Sequence, residues 1–306
     1  MRVGVVDIGT NSTRLLIADV EDAEVTEIER RTTVTNLGRG VEHTGNLCSD
    51  AIEAACGVIA DYKARYEEMG VERVLAIATS AVRDAGNGGA FIAELRERFE
   101  IDASLLTGEE EAHLTYLGAT SQRPDDETTL VFDIGGGSTE LILGQGHEVG
   151  FHASLQAGTI RHSERHLTAD PPEPHELEEL ADDVRALIER ALAASPTTRD
   201  LCAIAVAGTP TSLAAIEQEL EPYDPERVHG YRLGLQGIQR MLSRLAALPL
   251  AERLRVPGLH PGRAPTIVAG AVILVQVMRA FGLEEIEVSE RDILHGSALS
   301  ASLAPA

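Results

Sequence analysis

The chain has 306 residues, 43% of them hydrophobic, with no Trp and only 3% aromatic residues. That length exceeds the usual single core, so two domains of about 150 residues each, with interiors of Val, Ile, Leu and Ala, are expected. Against 26 Lys and Arg stand 49 Asp and Glu, a formal charge of −23, which excludes non-specific nucleic-acid binding because counterion release requires a basic surface.

In chain order, the start MRVGVVDIGTNS lacks the charged leader, apolar stretch and cleavage site of a secreted protein, so a cytoplasmic location is expected. Residues 6–17, VDIGTNSTRLLI, set apolar runs on both sides of a polar, Gly-containing turn, the pattern of a β-hairpin. Ser49 or Asp50 reads as the N-cap of a helix with apolar positions Ile52, Ala55, Cys56 and Ile59, stopped by Gly70. VLAIATS (74–80) reads as a strand entering a helix. Glu109, Glu110 and Glu111 open a further helix, where three acids are ordinarily a solvated face suited to the macrodipole. The stretch ATSQRPDDET (119–128) is the natural boundary, dividing the chain into domains 1–122 and 123–306, with a C-terminal helix near 292–306 able to pack back on the first.

Residues 132–143, FDIGGGSTELIL, form a second hairpin pattern. The Pro-rich TADPPEPHE (168–176) leads into a helix at about 176–194, AIAVAGT (203–209) reads as a strand, and EPYDP (221–225) as a loop. IVAGAVILVQVM (267–278) is too short to span a membrane, which needs about 18 apolar residues, and reads as a buried helix between the two domains. Cys48, Cys56 and Cys202 lack C-x-x-C spacing and read as reduced thiols. Among the histidines only His162 and His166 show helical ligand spacing, and in RHSERH they read as polar surface.

The two hairpins align with each other. Asp7/Asp133, Ile8/Ile134, Gly9/Gly135, Ser12/Ser138, Thr13/Thr139 and Leu15/Leu141 are identical pairs, and the strands at 74–80 and 203–209 correspond at nearly the same offset. A duplicated domain is the direct reading, and a cleft between two similar lobes is a favoured ligand site. In a D-x-G-[TG]-x-S turn, Gly permits close backbone approach, and successive N–H groups with Thr and Ser hydroxyls can surround a phosphate. The candidates are Gly9, Thr10, Asn11 and Ser12 in the first turn, and Gly135, Gly136, Gly137 and Ser138 in the second. Asp7 and Asp133 would face the same anion, an unfavourable pairing unless Mg²⁺ (or Mn²⁺) lies between them.

This paired arrangement resembles the phosphate-binding hairpins of the actin-like ATPase superfamily. DIGTNSTRLL (7–16), ATSAVRDAGN (78–87), TGEEEAHLTYLG (107–118), DIGGGSTEL (133–141), AGTPTSLAA (207–215) and VSERDILHG (288–296) resemble one branch of it, the exopolyphosphatase/guanosine pentaphosphate phosphatase family. The resemblance implies an α/β fold of two duplicated ribonuclease H-like domains, mixed sheets flanked by helices, with the active site in the interdomain cleft. It places the catalytic carboxylate at Glu111, adds Arg14 and Arg83 as phosphate-binding cations and Gly208 and Thr209 as a further phosphate-binding turn, and adds Glu140 to Asp7 and Asp133 as a metal ligand. Arg forks suit phosphate oxygens and offset the repulsion that so acidic a chain exerts on a polyanion.

The activity implied is hydrolysis of the terminal phosphoryl group of inorganic polyphosphate by Glu-activated water with Mg²⁺. Two other readings stand beside it: a guanosine pentaphosphate 5′-phosphohydrolase using the same residues, and a non-catalytic sensor of polyphosphate or the nucleotide. Long family forms carry further C-terminal domains, so shorter polyphosphates are the expected preference here, and the resemblance leaves a homodimer open. Pro265 and His295 depart from the family pattern and put guanosine pentaphosphate specificity in doubt.

Overall fold

A computed structural model of the chain describes residues 1–193 and 201–303. The chain folds into two compact units, one formed by Met1–Ser121 with the segment from Arg291 onward, the other by Gln122–Glu290. The C-terminal segment thus belongs to the first unit. The expected ends of the helices near 194 and 306 lie outside the described residues.

In the first unit β1 (Arg2–Ile8), β2 (Ser12–Glu21) and β3 (Glu24–Val34) make an antiparallel meander. β4 (Arg73–Ala78) pairs parallel with β1, and β5 (Ala103–Leu105) parallel with β4, giving the order β3-β2-β1-β4-β5. Strand alternation sorts the side chains between two faces. Val6, Ile8, Leu15 and Ile17 pack under the helices Ser49–Glu68 and Gly88–Phe99, whereas Val3, Val5, Leu16 and Ala18 meet Leu294, Ala298 and Ala301 of the helix Ile293–Leu303. The same alternation puts Asp7 and Arg14 on the second of these faces. The Ser49–Glu68 helix starts one residue earlier than expected, with Cys48 at its N-cap; Asp50 sits in the first turn, ion-paired with Arg39. Gly70, at φ +64°, follows the C-cap as expected.

The second unit repeats the plan. β6 (Thr128–Ile134), β7 (Thr139–Gln145) and β8 (Glu148–Leu155) form the meander, and β9 (Cys202–Val206) lies parallel to β6 as β4 does to β1. β10 (Arg232–Gly234) pairs antiparallel with β11 (Glu285–Val288), which continues the sheet from β9. Leu130, Phe132, Ile134, Leu141 and Leu143 build one large core with the helices Pro174–Leu192 and Ile267–Ala280. Cutting Phe132 back to Ala would cost about 3–5 kcal/mol. The Ile267–Ala280 helix is buried as expected, but among helices of its own unit. No helix among the described residues is long and apolar enough to cross a membrane.

Candidate active site

The turn joining β1 to β2 is closed by Gly9 N–H donating to Ser12 O at 3.1 Å, and its counterpart by Gly135 N–H donating to Ser138 O at 3.0 Å. The duplication therefore extends to turn geometry. In the first unit Thr35 and Asn36 N–H donate to Asn11 O and Gly38 N–H to Thr10 O, which fixes the turn from outside. Thr10 Oγ1 accepts from Ala81 N–H at 3.1 Å, so its hydroxyl hydrogen remains to be donated. That bond ties the turn to the short helix Ser80–Asp84, which carries Arg83.

Asp7 and Arg14 are direct cross-strand partners. Arg14 donates from Nε to Asp7 Oδ2 at 2.8 Å and from Nη1 to Asp292 Oδ2, so its guanidinium spans two buried carboxylates. Burial pushes the Asp7 carboxyl above its usual range against the pull of Arg14. Asp292 lies lower than usual: burial opposes its charge, but Arg14, Arg30 and the Leu294 N–H outweigh it. Asp292 also accepts that Leu294 N–H at 3.0 Å, at the start of the C-terminal helix.

Glu111 is 8% exposed and lies in the first turn of the helix Gly108–Thr120. Thr107 and Glu110 form a reciprocal capping box there, so Glu110 is a helix-terminal charge as expected. Glu111 instead turns inward, where Arg83 Nη1 donates to its Oε2 at 3.0 Å and to Leu106 O at 2.8 Å. Burial raises the Glu111 pKa, Arg83 opposes the rise, and the charge of Asp7 adds to it. Asp7, Arg14, Arg83, Asp292 and Glu111 thus form one electrostatic group within the first unit.

In the second unit Asp133 and Glu140 are the cross-strand partners equivalent to Asp7 and Arg14. Both are buried, and Ser154 Oγ donates to Glu140 Oε1 at 3.0 Å. The turn is propped by the helix Thr159–His166: Thr159 and Ile160 N–H each donate at 2.9 Å, to Gly135 O and Gly136 O, and Arg161 Nε donates to Gly137 O at 2.8 Å. Gly208 opens the helix Gly208–Glu217 behind Ala207, at φ +70°, with the Arg263 guanidinium lying where a Gly208 Cβ would sit. Thr209 is buried against Gly270.

A hard cation fits these residues. Asp7 Oδ1 is buried without a hydrogen-bond partner, and Asp133 with Glu140 sets two carboxylates opposite one another.

Four residues escaped the sequence reading. Asp292 carries the local signal of an Asp ahead of an apolar helix. Arg263 ends a short 3₁₀ turn, Pro261–Arg263, with no such signal, and Gly118 and Gly296, where the helices Gly108–Thr120 and Ile293–Leu303 pack too closely for a Cβ, have none either. One reading is corrected: His162 is not polar surface but fully buried, with His166 beside it at a ring separation of 5.5 Å.

Two units, each with a meander of three strands extended by a parallel fourth, a Gly-bearing hairpin turn and buried acids beside that turn, define a duplicated two-unit α/β protein. Residues 16–304 match the Ppx/GppA phosphatase family, and the chain belongs to it. It is 36% identical over 98% of its length to exopolyphosphatase 2 of Mycobacterium tuberculosis, 98% of which is covered. The crystal structure of an exopolyphosphatase-like protein is similar at TM-score 0.94 and 32% identity, over 99% of both chains. An Aquifex aeolicus family member is similar at TM-score 0.82 and 32% identity, over 99% of this chain and 98% of that one.

Proposed function

We propose that this phosphatase is an exopolyphosphatase: water attacks the terminal phosphorus of a polyphosphate, Glu111 takes a proton from that water, and the bridging P–O bond breaks. The products are orthophosphate and a chain one unit shorter, which leaves with the bridging electron pair. The observation that carries this reading is the buried Glu111 carboxylate held by Arg83, whose helix is tied to the Thr10 turn.

Burial raises the Glu111 pKa above the ordinary glutamate range, which makes the carboxylate a stronger proton acceptor. Arg83 fixes the carboxylate's orientation and presents its remaining N–H groups to phosphate oxygens. Gly9, Thr10, Asn11 and Ser12 offer backbone and hydroxyl donors to the phosphoryl group. Gly135, Gly136, Gly137, Ser138, Gly208 and Thr209 offer the second unit's donors to further phosphates. Arg14, committed to Asp7 and Asp292, keeps Asp7 in place and lends charge. Asp7 in the first unit, and Asp133 with Glu140 in the second, are the residues that would hold Mg²⁺ (or Mn²⁺), which would neutralise charge on the phosphate oxygens. The net charge of −23 supports a preference for shorter chains, because each added phosphate adds repulsion.

Phosphate release is measured from polyphosphates of defined length, nucleoside triphosphates and guanosine pentaphosphate, with and without Mg²⁺. The expected result is the highest kcat/KM on short polyphosphate. Faster release from guanosine pentaphosphate would replace the substrate assignment, and binding of either without release would make the protein a sensor.

A further inference from the structure

The helix Thr159–His166 that props the second turn carries a feature the hydrolysis does not use. His162 is fully buried, and neither of its ring nitrogens makes a hydrogen bond. Its Nε2 lies 3.5 Å from Asp183 Oδ2, and His166 Nε2 lies 3.1 Å from the same oxygen. The ligand atoms of the three residues all fall within 4.8 Å of one another, the one such cluster among the described residues. A tetrahedral ion with bonds of about 2.0–2.1 Å sets its ligand atoms about 3.3–3.4 Å apart, so the two spacings to Asp183 need only small adjustment.

We propose that His162, His166 and Asp183 form a binding site for one Zn²⁺ ion that fastens the helix Thr159–His166 to the helix Pro174–Leu192. Two imidazoles one helical turn apart with a single carboxylate select a borderline transition metal over Mg²⁺, which favours oxygen-only donors. A fully buried imidazole with unused nitrogens carries a desolvation cost that a metal bond would offset. Arg165 donates to the same Asp183 oxygen at 3.1 Å; it is partly exposed and can give way to the ion. The site is structural. Its helix begins on the carbonyls of Gly135 and Gly136, so fastening its far end braces the turn at 135–138.

The full chain, stripped with EDTA and desalted, is titrated with Zn²⁺ against a chromophoric chelator, and separately with Co²⁺ by visible absorption. Expected are one high-affinity ion per chain, the intense d–d bands of four-coordinate Co²⁺, and a Tm rise on the order of 5 °C at a hundredfold excess over Kd. His166→Gln and Asp183→Asn change partly exposed side chains and leave the fold intact; each lowers affinity by at least about a hundredfold, exceeding the usual 10–100-fold effect of an outer partner. His162→Gln does the same where it folds. Absence of a high-affinity ion in the parent protein, or unchanged affinity in both His166→Gln and Asp183→Asn, overturns the proposal.

Discussion

Replacing Glu111 with Gln separates proton transfer from packing. The amide is isosteric, and its oxygen can still accept the Arg83 Nη1 hydrogen made at 3.0 Å in the parent, so the side chain keeps its place. What disappears is the negative charge and the ability to take a proton from water. Loss of a positioned general base costs about 10²–10⁴ in turnover, or about 2.7–5.5 kcal/mol of barrier at 1.36 kcal/mol per decade. Stability should move little, because burial already disfavours the Glu111 charge; losing the attraction of Arg83 and losing that desolvation cost oppose each other, and Tm should stay within about 4 °C. Initial rates of phosphate release give kcat and KM, and calorimetry gives Tm. A fall in kcat with KM nearly unchanged is expected, the pattern of an interaction made only in the transition state. A folded Glu111→Gln protein with kcat within about threefold of the parent would refute the assignment.

The acid limb of kcat/KM should inflect above the ordinary glutamate value of 4.5, since activity is lost as falling pH protonates the base through a raised pKa; a limb at or below that value contradicts the burial reasoning. Removing Mg²⁺ with EDTA should abolish turnover, and Asp133→Asn should weaken metal-dependent activity with partial recovery in excess Mg²⁺; a metal-titration curve unshifted from the parent rejects Asp133 as a ligand. A Cβ on Gly118 would lie 1.9 Å from Asp292 O, and one on Gly296 1.8 Å from Leu114 O, so Gly118→Ala should cost about 1–3 kcal/mol or more by overpacking and lower activity. Gly57→Ala, on a helix with open space, should be neutral or stabilising by up to about 1 kcal/mol, and equal Tm values for the two variants would discredit the crossing. Glu176 accepts from Thr168 N and Oγ1, Ala169 N and Glu173 N, which holds its pKa at about 2. Its stabilisation is present above the ordinary value of 4.5 and lost as pH falls through about 2; Glu176→Ala should cost about 2–3 kcal/mol at neutral pH, and an unchanged denaturation midpoint would show those bonds to be dispensable.

The hairpins and the duplication were legible because period-2 alternation and a Gly-bearing turn are local signals, repeated at matched positions. The acids 109–111 were legible as a helix start, but the capping box that Thr107 makes with Glu110 was not read. Pairing across long sequence separation was not. Asp292 stands 278 residues from Arg14, and nothing near either residue announces the other. His162 was misread because i, i+4 spacing says that two side chains share a helix face without saying whether that face meets solvent or the neighbouring helix. The Ile267–Ala280 helix shows the converse: its uniform apolarity required burial but could not say against what. The N-cap at Cys48 was missed because the sequence offers two better capping residues just after it, and the first turn uses Asp50 against Arg39 instead.

What the two hairpins share and where they part bears on the division of labour. Sequence identity places an Asp at the end of each first strand, and strand register then fixes which residue stands opposite: Arg14 in one unit, Glu140 in the other. An acid opposite a base is a neutral pair, with Asp7 Oδ1 still lacking a hydrogen-bond partner. Two acids opposite each other repel by about 3 kcal/mol, taking 5 Å and an effective dielectric of 20, and direct cross-strand neighbours of like charge destabilise a sheet. On the proposed function, the Asp133 and Glu140 pair beside the Gly-Gly-Gly turn would serve a cation brought with phosphate. On the same proposal the first unit, with Asp7 held by Arg14 and Glu111 held by Arg83, would present fixed groups to the reacting phosphorus.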